Sequence, residues 1–212
     1  MNYKYSSIAW LLFLVLLIAV LTSLGPAEKT LGVNARIVYL HGVWVWTALA
    51  CFFTSALAGI AGWIGNNISA HYWSRALGRT GLLFWITYLP LSIWAMQANW
   101  NGLFLAEPRW RLALIFATGG LLVQLGITLI GVPAWASLAN TIFILILMLA
   151  LQTTDNVMHP PSPILDSNAP RIQAFFFALF FLMVLSAWQI ACWWRKLEPP
   201  NPIENHPNSL KN

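Results

Sequence analysis

Apolar residues along this chain fall into six long runs separated by short polar stretches. The runs cover residues 8–24, 37–64, 81–96, 112–132, 138–151 and 172–194. A helix needs about 20 mainly apolar residues to cross a hydrocarbon core of about 30 Å. The third and fifth runs are shorter, but polar flanks such as Gln97 and Gln152 can complete their ends at the interface. The pattern predicts an all-α integral membrane protein, a bundle of about six transmembrane helices.

The first run follows Lys4 and resembles the apolar core of a signal peptide. It is long for that role, and residues 22–26, Thr-Ser-Leu-Gly-Pro, form a poor small-x-small cleavage site. We therefore expect this run to be the first transmembrane helix. The prediction gives one six-helix membrane domain over residues 1–196 and a polar, disordered cytoplasmic tail over residues 197–212, rich in Pro and Asn.

The amino-acid composition also indicates a protein that is embedded in a lipid bilayer. Hydrophobic residues make up 59% and charged residues 8%, against about 25% charged residues in soluble domains. Lysine and arginine form no run, which excludes a polybasic nucleic-acid tract. Cys51 and Cys192 both lie in apolar runs, where a small buried hydrophobe is the expected role.

An even number of spans places both termini on one side of the membrane. With the termini inside, the cytoplasmic side carries the basic residues Lys4, Arg75, Arg79, Arg195, Lys196 and Lys211, and the outer side carries Lys29, Arg36, Arg109, Arg111 and Arg171. This six-to-five division barely favours the orientation. Four acidic residues, Glu28, Glu107, Asp155 and Asp166, then lie outside. We predict a multi-pass protein of the inner (cytoplasmic) membrane with cytoplasmic termini.

The same topology gives the connections between helices. Residues 25–36, 97–111 and 153–171 connect helices on the outer side, and residues 65–80 and the tight turn 133–135 connect them on the cytoplasmic side. Of the four histidines, His71 then lies in a cytoplasmic connection and His206 in the tail. His41 lies about one turn into the second helix, and His159 lies in the third outer connection, so these two share a side.

His41 and His159 together suggest a ligand. An imidazole buried in a membrane is costly unless it is bonded or bound, although a histidine that bonds a neighbouring helix is an equally ordinary explanation for His41. Proline-rich residues 155–163 make a solvated loop histidine the default for His159. Two neutral imidazoles on one face can, however, occupy both axial positions of a haem iron.

Haem also requires an aromatic surface and cations for its propionates. Aromatic residues near the same face are Tyr39, Trp44, Trp46, Trp94, Trp100, Phe104 and Trp110, and the available cations are Arg36, Arg109, Arg111 and Arg171. Tryptophan and tyrosine also gather at any membrane interface, so most of the 13 tryptophans need no ligand to explain them.

The sequence lacks the short motifs that indicate other kinds of catalytic or binding site. The sequence has no paired-cysteine motif, phosphate-binding glycine loop, nucleophile elbow or His-Glu-x-x-His helix, so no catalytic residue is predicted. The apolar runs contain no carboxylate, which argues against a proton-coupled transporter.

Two segments resemble the CcmC/CcsA-type family of haem-handling membrane proteins of cytochrome c assembly, in particular its CcmC-like members. Residues 36–46, with Tyr39-Leu40-His41, resemble the start of that family's second helix. Residues 156–159, Asn-Val-Met-His, followed by Ser162, Asp166 and Pro170-Arg171, resemble its second histidine loop and the entry into the last helix. The resemblance extends from the second helix to the sixth.

The family's tryptophan-rich segment is altered in this chain. Residues 99–111 read Asn-Trp-Asn-Gly-Leu-Phe-Leu-Ala-Glu-Pro-Arg-Trp-Arg, with Glu107 in place of the family's Asp and Ala106 where a tryptophan is expected. Trp100, Gly102 and Phe104 resemble altered counterparts of the motif. An altered or lost haem platform is the alternative that this difference raises.

The resemblance implies a function as well as a fold. A CcmC-like protein binds a non-covalent, transiently held b-type haem at its outer face and delivers it to a periplasmic haem chaperone, together with an ABC-type membrane complex. The implied iron ligands are His41 and His159, and the implied haem contacts are Trp100, Phe104, Arg109, Trp110 and Arg111. The alternatives are a structural membrane subunit that has lost haem, and a membrane haem or quinone protein of electron transfer.

Overall fold

Six α-helices follow one another along the chain. The computed structural model describes residues 3–155 and 163–198, with side chains from residue 7 onward. The helices are α1 (Tyr3–Ser23), α2 (Ala35–Ile64), α3 (Ile68–Trp100), α4 (Pro108–Ile130), α5 (Pro133–Thr153) and α6 (Pro170–Lys196). Within these ranges the only strand-like pairing is an isolated bridge between Glu28 and Gly32. The predicted all-α bundle is confirmed.

Helices α2 to α6 are each long and apolar enough to cross a membrane. The protein is therefore a multi-pass membrane protein, as its composition predicts. The described side chains of α1, Ser7–Ser23, are apolar but form a shorter stretch than a full span requires. That α1 crosses the membrane stays a prediction.

The third helix begins much earlier than its apolar run predicts. Residues 65–80 were expected to form a connection, but α3 begins at Ile68, so the connection is only residues 65–67. The side chain of Asn67 caps the N-terminus of α3 by accepting hydrogen bonds from the backbone N–H groups of Ser69 and Ala70. His71 consequently lies in α3, buried, and not in a solvated connection.

The turn between α4 and α5 also differs from the prediction. It lies at residues 131–132, and Pro133, Ala134 and Trp135 form the first turn of α5 instead of the loop. Gly131 ends α4 with a φ of 72°, a left-handed conformation that glycine adopts without steric cost. Proline then opens α5, as it also opens α4 and α6, because a first-turn residue needs no N–H donor.

The bundle is built around α2 and α3, which form its most extensive helix pair. Both α5 and α6 pack against this pair, α4 packs against α3 and α5, and α1 lies mainly against α6. Small residues allow close approach, as expected where apolar burial does not drive helix association. At Gly81, for example, a Cβ atom would lie 2.7 Å from the Phe52 ring and 3.2 Å from the carbonyl oxygen of Ala48.

A buried polar network joins four of the helices. Ser55 of α2 donates to the backbone oxygen of Ser74 in α3 at 2.6 Å, and Asn140 of α5 donates to the same oxygen at 3.0 Å. Gln124 of α4 donates to Asn140 Oδ1 at 2.9 Å. Nearby, His71 Nδ1 lies 2.7 Å from Ser137 Oγ. These bonds satisfy polar groups that the hydrocarbon region leaves without water.

The two ends of the bundle differ in character. Ser7 near the start of α1 bonds Gln189 and Trp193 near the end of α6, so the start of α1 and the end of α6 lie at one end of the bundle, which we call the termini end. The opposite end, called the cavity end, carries the α1–α2, α3–α4 and α5–α6 connections. Cys51 is buried, Cys192 is partly buried, and both are free thiols.

Candidate functional site

A cavity of about 510 Å³ lies at the cavity end of the bundle. This volume is within the range of about 300–1,000 Å³ that is typical of small-molecule sites. All helices except α1 contribute to its wall, together with the α1–α2 connection and residues 163–167. The wall is mainly apolar and aromatic, with a small number of polar groups.

His41, the first of the two predicted iron ligands, lies on this wall. It is in the second turn of α2 and is partly buried. Its ring lies 5.5 Å from the ring of Tyr88 in α3, tilted by 51°. The neighbouring Gly42 packs against Phe176 of α6, where a Cβ atom would lie 3.0 Å from the aromatic ring. The close packing on both sides fixes the helix face that presents His41.

His159, the second predicted iron ligand, lies outside the described residues, as do residues 156–162 as a whole. The chain that follows it is described. Pro163, Ile164 and Leu165 line the cavity, and Gln173 of α6 holds this turn by donating to the backbone oxygen of Leu165 at 3.0 Å. The connection that carries His159 therefore returns to the cavity wall at residue 163.

The predicted aromatic platform is divided between cavity and surface. Trp100 at the end of α3 and Trp110 in the first turn of α4 both line the cavity. Phe104 is 41% exposed and lies in the connection between the two helices. It is not among the cavity-lining residues. Of the predicted platform residues, Trp100 and Trp110 thus lie on the cavity wall and Phe104 lies outside it.

The two predicted cations of this segment also separate. Arg109 lines the cavity and donates from Nη2 to the backbone oxygen of Leu151 in α5 at 3.2 Å. Arg111 is exposed, donates from Nε to the backbone oxygen of Leu105 at 3.2 Å, and does not line the cavity. Arg36 donates to the backbone oxygen of Gly25 at 2.9 Å, and Arg171 is exposed.

Three buried donors on cavity-lining residues have no acceptor among residues 3–155 and 163–198. They are the hydroxyl of Tyr39, Nε of Arg109 and Nε1 of Trp110. A buried donor without a partner costs about 1–3 kcal/mol, so such groups are rare in native proteins. All three can donate to a carboxylate, which suits them to an acidic ligand.

Several lining residues were not predicted from the sequence. Trp85, Tyr88 and Ser92 line the cavity from successive turns of α3, and Phe176 lines it from α6. Their spacing was visible in the sequence, but aromatic residues at helical spacing equally indicate a packed core. Two carboxylates, Glu28 and Glu107, also line the cavity.

Glu28 is held by the backbone of its own connection. Its Oε2 accepts the N–H groups of Thr30 at 2.7 Å and Leu31 at 2.8 Å. These bonds, with that of Leu31 having the largest effect, stabilise the carboxylate and lower the pKa of Glu28 below its ordinary value.

The described residues contain no cluster of three or more histidine, cysteine or acidic side chains that could hold a metal ion alone. A haem iron needs only one or two axial ligands, because the porphyrin supplies the others.

Comparison with known proteins identifies no relative: no protein family, curated protein or solved structure matches this chain.

Proposed function

We propose that this protein binds haem at the outer face of the inner membrane and delivers it for cytochrome c maturation, in the manner of a CcmC-like protein. The observation that supports this proposal is His41 on the wall of an aromatic cavity of about 510 Å³. A histidine in such a cavity supplies the axial nitrogen that haem iron requires. The haem is a cargo that is bound and released, so no catalytic residue is required.

Each part of the ligand has a matching group in the proposed site. His41 is one axial ligand and His159 the other. Trp100, Trp110 and Trp46 offer apolar ring surfaces to the macrocycle. Arg109, with the unpartnered hydroxyl of Tyr39 and Nε1 of Trp110, offers donors to the propionates. Phe104 and Arg111 are not needed for this arrangement.

The proposed partners follow from the delivery role. A periplasmic haem chaperone receives the haem, and an ABC-type complex supplies the energy, since the sequence contains no nucleotide-binding loop. Both termini face the cytoplasm in this arrangement, and the cavity faces the chaperone.

A structural membrane subunit without haem is the second candidate. It is favoured by the positions of Phe104 and Arg111 outside the cavity, because these residues belong to the altered tryptophan-rich segment. A haem protein of electron transfer is the third. It would hold haem stoichiometrically and cycle it between two redox states.

The test is haem content by absorbance and pyridine haemochrome after purification from cells with ample haem. We expect a Soret band that is lost in His41→Ala and His159→Ala and retained in His206→Ala, which removes a histidine from the tail. A wild type that stays colourless when haem is added would refute the proposal in favour of the structural subunit. Stable stoichiometric haem with a reversible midpoint potential, not released to an acceptor, would favour electron transfer.

Two arginines provide a matched test of the propionate contacts. Arg109→Gln removes a cation from the cavity wall, whereas Arg111→Gln removes an exposed one two residues away. Since a hydrogen bond to a charged group contributes about 1.5–3 kcal/mol, Arg109→Gln should weaken haem binding about tenfold or more. Arg111→Gln should leave it unchanged, and equal losses in both variants would contradict this geometry.

A further inference from the structure

Positive charge is concentrated at the termini end of the bundle. Arg75 and Arg79 of α3 and Arg195 and Lys196 of α6 lie there. Among the described residues, Glu198 is the only carboxylate at that end. The connections of the cavity end and the helix ends beside them contain five basic and four acidic residues, which nearly balance. At the termini end, the four basic side chains named above and Glu198 therefore sum to a net charge of +3.

Two arginines pair with the described carboxylate at this end. Glu198 is 5% exposed and pairs with Arg75 Nη1 at 3.2 Å and Arg79 Nη1 at 3.0 Å. Arg79 Nη2 also donates to Thr128 of α4 at 3.2 Å, and its guanidinium lies 5.4 Å from the centre of the Trp194 ring. These contacts hold α3, α4 and the end of α6 together.

Arg195 lies beside this cluster. Its guanidinium stacks over Tyr72 at 5.1 Å, and its Nη2 donates to Ser69 at 3.3 Å. One carboxylate cannot neutralise three guanidinium groups, and like charges brought together repel one another. The described side chains of the cluster therefore carry more positive than negative charge.

The positively charged cluster also contains buried hydrogen-bond donors that have no acceptor among the described residues. In residues 3–155 and 163–198, Arg75 Nε, Arg195 Nε and Trp194 Nε1 are buried and have no hydrogen-bond partner. All three groups can only donate. Among residues 3–155 and 163–198 the cluster thus has donors without acceptors and an excess of positive charge. A phosphate group supplies both acceptors and negative charge.

We propose that the termini end binds a phosphate group between α3 and α6, through Arg79, Arg195 and Lys196, with the Trp194 indole beside it. The chain spans a membrane, so the phosphate of an anionic phospholipid is the nearest source, and free phosphate is the other. Basic pockets between transmembrane helices bind anionic headgroups in this way. Such a site is independent of the haem proposal, because it lies at the opposite end of the bundle.

Two substitutions distinguish binding from a purely structural role of the cluster. Arg79→Gln and Glu198→Gln both break the same 3.0 Å ion pair. They change the net charge of the cluster in opposite directions, however. If the cluster binds a phosphate, Arg79→Gln weakens binding and Glu198→Gln maintains or strengthens it. If the ion pair only holds the helices together, both variants behave alike.

The experiment measures phosphatidylglycerol retained by the full-length protein after extraction from vesicles of equal phosphatidylcholine and phosphatidylglycerol, by mass spectrometry. We expect Arg79→Gln to lower the affinity about fivefold, the usual effect of one basic residue near an anionic surface. Arg79→Lys should retain most of it, and Arg171→Gln, an exposed cation at the cavity end, should leave it unchanged.

Displacement of the lipid by millimolar inorganic phosphate would show that the site recognises free phosphate, and indifference to it would identify the lipid headgroup. Either result supports a phosphate site. Equal losses in Arg79→Gln and Glu198→Gln, or no change in either, would overturn the proposal.

Discussion

The side chain of Glu28 forms hydrogen bonds within the connection between α1 and α2. Besides the two N–H groups that its carboxylate accepts, its backbone pairs with Gly32 through bonds of 3.0 and 2.8 Å. Thr30 and Leu31, which donate to the carboxylate, also line the cavity. The ionised state of Glu28 therefore helps to fix the cavity wall.

This arrangement predicts a pH dependence. Because the pKa of Glu28 is lowered in the folded loop, the stabilisation is present above the ordinary value of 4.5 and is lost as the pH falls through the lowered pKa. Titration of the Glu28 side-chain carboxyl by carbon NMR should place its midpoint below 4.5. The protection factor of the Leu31 amide, its intrinsic exchange rate divided by its observed rate, should fall over the same range.

Glu28→Gln is the control for that titration. The amide keeps an acceptor oxygen but has no charge to lose, so the protection factor of Leu31 in this variant should show no such fall at acidic pH. A Glu28 midpoint at or above 4.5 would contradict the prediction.

Single residues also show what the sequence could reveal of the site. His41 was identified because an imidazole in an apolar run requires an explanation. Tyr88 and Trp85 were not, since their aromatic rings look the same in a core and in a cavity wall. The separation of Arg109 from Arg111 depends on where α4 begins, at Pro108, and a helix boundary is the least certain part of a sequence-based prediction.

At the scale of helices, the runs of apolar residues predicted the number and order of the elements but not the extent of α3. Its N-terminal part contains Ser69, His71, Ser74, Arg75 and Arg79, which lower the hydropathy of this part of the chain. Neighbouring helices supply their partners, as Ser137 does for His71 and Glu198 for both arginines. A hydropathy scale assigns one value to each residue type, so it does not include the hydrogen bonds and ion pairs that these polar side chains form with other helices.

Gly81 gives a prediction for the packing of α2 on α3. In Gly81→Ala the new methyl group would meet the buried Phe52 ring and the Ala48 carbonyl oxygen, which cannot both move aside. We expect the free energy of unfolding to fall by about 1–3 kcal/mol, the usual cost of overpacking. Unfolding by SDS in mixed micelles, followed by circular dichroism, measures this.

Gly119→Ala is the matched control in α4. A Cβ atom at Gly119 meets nothing within 4 Å, so stability should be unchanged or slightly higher, since alanine is the better helix former. Equal destabilisation by both substitutions would show that close packing at Gly81 is not the cause.

At the scale of the whole molecule, the orientation in the membrane is the outstanding prediction. Val33, 59% exposed, lies in the α1–α2 connection, and Asn66, also exposed, lies in the α2–α3 connection at the other end. In a Cys192→Ser background, Val33→Cys should react with an impermeant maleimide in intact spheroplasts. Asn66→Cys should react only after permeabilisation, and the reverse pattern would invert the topology.

The position of α1 has a consequence for the assembly of the bundle during synthesis. Helices α2 to α5 can each pack on partners close to them in sequence, whereas the main partner of α1 is α6. About 150 residues separate the end of α1 from the start of α6, which at ordinary synthesis rates is a delay of roughly 7–30 s. Helix α1 therefore gains its main packing partner only after the other five helices have been made.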